Sequence, residues 1–154
     1  MKDLHSNIKI LRAIEPKPVG TSGIANGSLS PVLDRRQGGV VYRSAEFIIL
    51  HGTAGATGDT TTPVVYHSDS ATAASFTSVA DADLIGTEAG AGLPQQASSR
   101  TSGVGMNIAT KIGYRGNKRY LRLRLYGTGH ATGIVAAALE LGDPDRAPVA
   151  GQVG

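Results

Sequence analysis

Few residues in this chain have types and spacings that could do chemistry, and each has a plainer use. Asp81 and Asp83, with Glu88 downstream, could hold a cation or exchange protons, because neighbouring carboxylates can share a metal or a proton. The spacing lacks the further oxygen ligands and the Gly of a calcium loop, so it reads as a solvated turn or a helix cap. Gly127-x-Gly129-x-x-x-Gly133 resembles a phosphate loop only loosely, having neither the G-x-G-x-x-G spacing nor a following Lys-Ser/Thr. It reads as a hairpin turn. The histidines His5, His51, His67 and His130 fall in four different segments, none paired at metal spacing. No Ser occupies a G-x-S-x-G elbow, and without cysteine there is no thiolate nucleophile, disulfide or Cys-ligated zinc. The expectation is a protein that is not an enzyme and holds no cofactor and no metal.

What remains is charge. Lys111, Arg115, Lys118, Arg119, Arg122 and Arg124 form the one concentrated basic group. Its centre is Arg119–Tyr126 (RYLRLRLY), whose strict alternation fits a pleated strand. Leu121, Leu123 and Leu125 fall on one face, and Tyr120, Arg122, Arg124 and Tyr126 on the other. Such a face can pair with carboxylates or phosphates and can stack. It reads either as a solvated face or as a subunit contact, ahead of nucleic acid, because Arg and Tyr are favoured at protein interfaces.

The elements that position this strand are short and β-rich. Residues 1–19 are a polar entry and a mixed apolar run ending in Glu15-Pro16-Lys17-Pro18, read as an edge strand or arm. Asn26-Gly27 marks a turn, and Pro31–Asp34 a short strand. Val40–His51 is a strong strand with Ala45, Phe47 and Ile49 on one face and Glu46, Ile48 and Leu50 on the other. Both faces are apolar at its far end, which implies either cover on both sides or an interface with another subunit. Pro63–His67 is a further strand, and Ala80–Gly86 a turn. Thr87–Gly105 looks like a long excursion with almost nothing to bury. Met106–Gly113 and the alternating strand read as a β-hairpin, and Ala131–Leu141 as a last strand stopped by Gly142-Asp143-Pro144.

The predicted fold is all-β: a single-domain, jelly-roll-like β-sandwich over residues 20–142. An N-terminal arm or edge strand (1–19), an extended C-terminal tail (143–154) and long Gly/Ala/Thr loops complete it. The 154 residues suit one domain, and 21 Gly with few aromatics favour short strands and loops over helices. The net charge of +3 is modest, so any attraction for nucleic acid would be local, and nucleic acid is not an expected partner. No run approaches the roughly 18 apolar residues of a membrane span, and no apolar signal core follows Met1. Synthesis in a cytoplasm with no membrane partner is expected, unless the protein travels inside a larger particle.

Four segments carry a resemblance: Met1–Lys9 (MKDLHSNIK), Ala80–Ala89 (ADADLIGTEA), Lys111–Tyr120 (KIGYRGNKRY) and Leu141–Ala150 (LGDPDRAPVA). In this order they resemble a family of small structural proteins of tailed bacteriophages and prophages. The resemblance implies a non-catalytic virion component, most simply a decoration (cement) protein on the head shell, with the major capsid protein and copies of itself as partners. A tail-tube, tail-terminator or head–tail connector protein forming rings is the alternative. The interface candidates are Leu4, Ile8, Ile10, Pro16 and Pro18 in the arm, Tyr120, Arg122, Arg124 and Tyr126 on the strand, and Pro144, Arg146 and Pro148 in the tail. A latch in which the arms grip neighbouring shell subunits follows from multivalency, since weak contacts add over many copies.

Overall fold

The computed structural model describes residues 4–19, 28–52, 60–93, 108–128 and 133–146. In them the period-two patterning becomes strands: β1 (Lys9–Pro18), β2 (Ser28–Leu29), β3 (Leu33–Asp34), β4 (Arg36–Gln37), β5 (Val40–His51), β6 (Thr60–Ser68), β7 (Thr77–Ser78), β8 (Leu84–Ile85), β9 (Ile108–Tyr114), β10 (Tyr120–Thr128) and β11 (Ile134–Pro144). Single 3-10 turns cover Ala73–Ser75 and Asp81–Asp83, and a one-turn helix, α1, covers Glu88–Ala91.

Two antiparallel sheets form. The first runs β1-β11-β5-β9-β8, with β4 folded onto the start of β5; the second runs β2-β10-β6-β7, with β3 beside the other end of β10. If β2 and β3 are taken as one interrupted strand and β8 as an extension of β9's edge, the pairing is nested. β1 pairs with β11, β2/β3 with β10, β5 with β9, and β6 with β7. First with last, second with next to last, wrapped into two sheets, is the winding of a jelly roll.

Alternation decides which side chains fill the space between the sheets. Phe47 and Ile49 of β5, Ile112 of β9, Leu139 and Leu141 of β11 meet Val65 of β6 and Leu121, Leu123 and Leu125 of β10, all 0% exposed. The β4–β5 turn shows why its glycines are there. Arg36 pairs with Val41 and Gln37 with Val40, leaving Gly38 (φ 58°) and Gly39 (φ 80°) as a two-residue turn with both φ positive. That turn matches the twist of a hairpin and suits residues without a Cβ.

Three expectations need correction. β9 and β10 are not a hairpin: β9 pairs with β5 and β8, β10 with β6, β2 and β3, and residues 115–119 carry the chain from one sheet to the other. Each strand has its apolar side directed at the same core from opposite layers, which sequence adjacency alone does not reveal. The start of the excursion after Thr87 does bury surface. The Thr87 hydroxyl caps α1 by accepting from Gly90 N (3.0 Å), and Ala91 and Leu93 are buried, with Leu93 bridged to Thr61. Finally, β11 continues through Gly142 and Asp143 to Pro144, pairing Gly142 with Ser44 and Pro144 with Tyr42. Asp143 takes φ 51° between those pairs while the register against β5 stays unshifted, so Gly-Asp-Pro continues the strand.

Candidate functional site

Three surfaces collect the residues that could meet a partner. The outer face of the second sheet carries Tyr120, Arg122, Arg124 and Tyr126, all half-buried. The chain's own groups engage them. Arg122 donates through Nε and Nη2 to Ser30 O (3.1 and 3.0 Å) and lies 5.6 Å over the Phe76 ring. Arg124 lies 4.8 Å over Tyr126, whose hydroxyl meets that of Tyr66 at 2.9 Å. Burial, then the Tyr126 hydroxyl, push the Tyr66 phenol above its ordinary pKa. Arg119 stacks 4.8 Å from Tyr120. Leu29, Tyr66, Ala73, Phe76, Arg122 and Arg124 enclose a hollow of about 210 Å³. Ala73 and Phe76, from the segment between β6 and β7, thus fold back onto this face.

The outer face of the first sheet is different in kind. Its cross-strand rows run Ile10-Glu140-Glu46, then Arg12-Ala138-Ile48-Lys111, then Ala136-Leu50-Ala109. Ile134 lies beyond, and Ile85 lies over Gly113 at the other end, 3.0 Å from where a Cβ would sit. Ile10, Leu50, Ile134 and Ile85 are each about half exposed (50, 51, 49 and 58%). Among the described residues no further layer covers this face. Ala138 and Ile48, then Ala136, Leu50 and Ala109, make two of its rows apolar and low, whereas Glu140 and Glu46 sit side by side in the row between Ile10 and Ile85, with Lys111 paired to Glu46 at 3.3 Å. A hollow of about 190 Å³ between Glu46, Glu140, Ile85, Gly113 and Gly142 opens on the same side.

The third surface was not legible as a unit in the sequence. Arg35, Arg36, Arg43, Lys118 and Arg119 converge from the β3–β4 turn, the start of β5 and the crossing segment 115–119 around a concavity of about 300 Å³. Arg35 is 7% exposed. Its guanidinium donates to Gly116 O (3.0 Å), Lys118 O (3.0 Å) and Arg43 O (2.6 Å) and lies 5.4 Å over the Tyr114 ring. Burial holds its pKa below the ordinary arginine value. The Tyr114 hydroxyl in turn accepts from Lys118 N (3.0 Å) and meets His67 Nδ1 (2.9 Å). The basic group of the sequence is therefore divided: Lys111 on the first sheet, Arg122 and Arg124 on the second, Lys118 and Arg119 at the end between them.

The remaining sequence candidates spread over the molecule. Lys9–Pro18 is the hydrogen-bonded edge strand β1, with Pro16 and Pro18 exposed along it and register shifts after Arg12 and Ile14, so it is not a free arm. Leu4 is 69% exposed ahead of it, in a turn closed by Asn7 N to Leu4 O (3.1 Å), and Ile8 is half-buried. Pro144 ends β11, and Arg146 is exposed with Nη2 3.4 Å from Gly39 O. Pro148 lies outside the described residues, as does His130. His51 is buried, with Nε2 near Thr110 Oγ1 (3.0 Å) and Ala91 O (3.3 Å), which ties α1 under β5 and β9. Asp81 and Asp83 form the 3-10 turn before β8, and burial raises the pKa of Glu88 nearby. No protein-family model, no curated protein and no solved structure matches the chain.

Proposed function

We propose that this protein is a structural subunit of a particle, of the kind that decorates and cements the head shell of a tailed bacteriophage, with the shell protein and copies of itself as partners. The observation that carries the reading is the outer face of the first sheet, flat and largely aliphatic along β5 and β11, which no other described residue covers. Leu50 and Ile48 sit on the central strand of that sheet, where outward aliphatic side chains add nothing to the core of an isolated chain. An exposed apolar patch rimmed by charge is the common signature of a protein contact. The motif resemblance supplies the class of particle. The Arg/Tyr face of the second sheet, engaged by Ser30, Phe76 and Tyr66, is less suited to be the main contact.

The test is the copy number of the chain relative to the shell protein in purified particles, with binding of a Leu50→Lys variant to stripped particles beside it. Hundreds of copies in a simple ratio to the shell protein, with binding lost in the variant, is the expected result. About six or twelve copies would mean a ring in the neck or tail and would overturn the cement reading. Undiminished binding by the variant would remove the first sheet as the contact.

A further inference from the structure

The geometry points to a binding site for a compact, multiply charged oxyanion of the phosphate class in the concavity between Arg35, Arg36, Arg43 and Lys118. This goes beyond the assembly reading and stands or falls separately from it.

Two of the five cations that line the concavity are answered by the chain's own carboxylates. Arg119 makes a two-pronged pair with Asp34 (Nε 2.9 Å, Nη2 2.6 Å), and Lys118 pairs with Asp69. Arg35, Arg36 and Arg43 form no ion pair among the described residues, although Asp34 feels the charge of Arg36. Beside Val41 on the rim, Asp145 Oδ1 accepts from Val41 N (3.1 Å). The hollow is therefore left strongly positive on its inner side.

Arg35 makes the arrangement more than a surface cluster. Its guanidinium is held by three backbone carbonyls, and its Nε, also buried, has no hydrogen-bond partner among the described residues. A desolvated cation surrounded by further cations is costly unless an anion joins it. Its position is fixed before any ligand arrives, so binding would need little ordering. Arg36, the next residue along the chain, and Arg43, on β5, are exposed and can close on a ligand.

The convergence selects the ligand class. One planar carboxylate satisfies one arginine fork, whereas a tetrahedral phosphoryl group presents oxygens in several directions to cations on separate segments. About 300 Å³ is at the small end of ligand sites and suits a pyrophosphate-sized group with its water. The phosphate could be a free small compound or the backbone of a nucleic acid.

Calorimetric titration of the full chain with inorganic pyrophosphate, at low salt and at about 0.15 M, tests this. The expected result is saturable one-site binding that weakens about tenfold or more in Arg36→Gln/Arg43→Gln, the loss typical of charge-assisted bonds. Lys111→Gln, a cation on the first sheet, should leave it unchanged. Equal weakening in Lys111→Gln would mean general charge attraction and overturn the site, as would no saturable binding or no effect of the double variant. Citrate binding as tightly as pyrophosphate would overturn the phosphate assignment. A short single-stranded oligonucleotide that displaces pyrophosphate through the same arginines would support the site with a nucleic-acid source. Pyrophosphate binding that the oligonucleotide leaves undisturbed would support it with a free small phosphate.

Discussion

Replacing Arg35 by Met tests whether a buried guanidinium without a carboxylate holds this end of the sandwich together. The substitution keeps an unbranched stem and removes the charge. Lost are the bonds to Gly116 O, Lys118 O and Arg43 O, which join the crossing segment and β5 to the β3–β4 turn. At about 1.5–3 kcal/mol for each bond to a charged group, their gross value is about 5–9 kcal/mol. Two terms oppose that loss. The buried charge no longer has to be desolvated, a recovery of several kcal/mol, and water entering the adjacent hollow can re-bond the freed carbonyls. The net expectation is a loss of about 2–4 kcal/mol, a fall in Tm of about 5–15 °C for a chain of this size. Thermal unfolding by circular dichroism measures it, with exposed Arg36→Met as a control expected to change stability by about 0.5 kcal/mol or less. An Arg35→Met protein as stable as the wild type, or more stable, would show that desolvation outweighs the three bonds and would refute the staple.

Other substitutions probe other parts of the fold. Leu123→Ala removes a fully buried side chain between the sheets and should cost about 3–5 kcal/mol in urea unfolding, because the surrounding strands cannot collapse onto the cavity. Gly92→Ala should destabilise by about 1–3 kcal/mol. Its Cβ would lie 2.3 Å from Thr61 O and 3.1 Å from Pro63 Cδ, mostly backbone that cannot step aside, and the same unfolding assay checks it. Asp34→Asn should act through pH. Burial pushes the Asp34 carboxyl up, but the Arg119 hydrogen bond, the Arg36 backbone N–H and both positive charges outweigh it and hold the pKa below the ordinary aspartate value. A depressed carboxyl stabilises above its unfolded pKa, and that contribution fades as pH falls through the folded one. The gap in urea midpoint between wild type and variant should therefore close at acid pH; a gap of constant size would contradict the ion pair.

Strong alternation made β5 and β10 readable, because Phe47 and Ile49, or Leu121, Leu123 and Leu125, admit only one inward face. The sandwich class followed from short strands and Gly-rich turns. The nesting of strands did not, since the pairing of β1 with β11 or β2 with β10 is decided by how distant segments share a core, and no local residue encodes it. For the same reason the sequence grouped Lys118 and Arg119 with Arg122 and Arg124, which are near in the chain. Arg43 falls in the strong strand Val40–His51, and Arg35 and Arg36 in the gap before it. Only the crossing of residues 115–119 between sheets brings Lys118 and Arg119 to them.

The two outer faces show how one alternating pattern serves opposite ends. On the second sheet the outward residues are long and amphipathic, and the chain covers them itself: Leu29, Ala73 and Phe76 close over Arg122 and Arg124. On the first sheet the outward residues of β5 and β11 include Ala136, Ala138, Ile48 and Leu50, short or aliphatic, beside the pair Glu46 and Glu140, with no segment among the described residues laid over them. A strand that needed only water outside would gain solubility from polar residues there at no cost to the core. Aliphatic side chains at half exposure on a central strand are stabilising only when another body covers them. For a particle subunit the cover need not bind tightly, because neighbouring copies hold one another in place and a weak contact repeated across a shell becomes a strong one. The edge is arranged in the same sense. β1 carries Pro16, Pro18 and two register shifts, which discourage another strand from adding to the sheet. Under the proposed assembly, such an edge would direct association away from open-ended strand pairing and onto the flat face, where it can close.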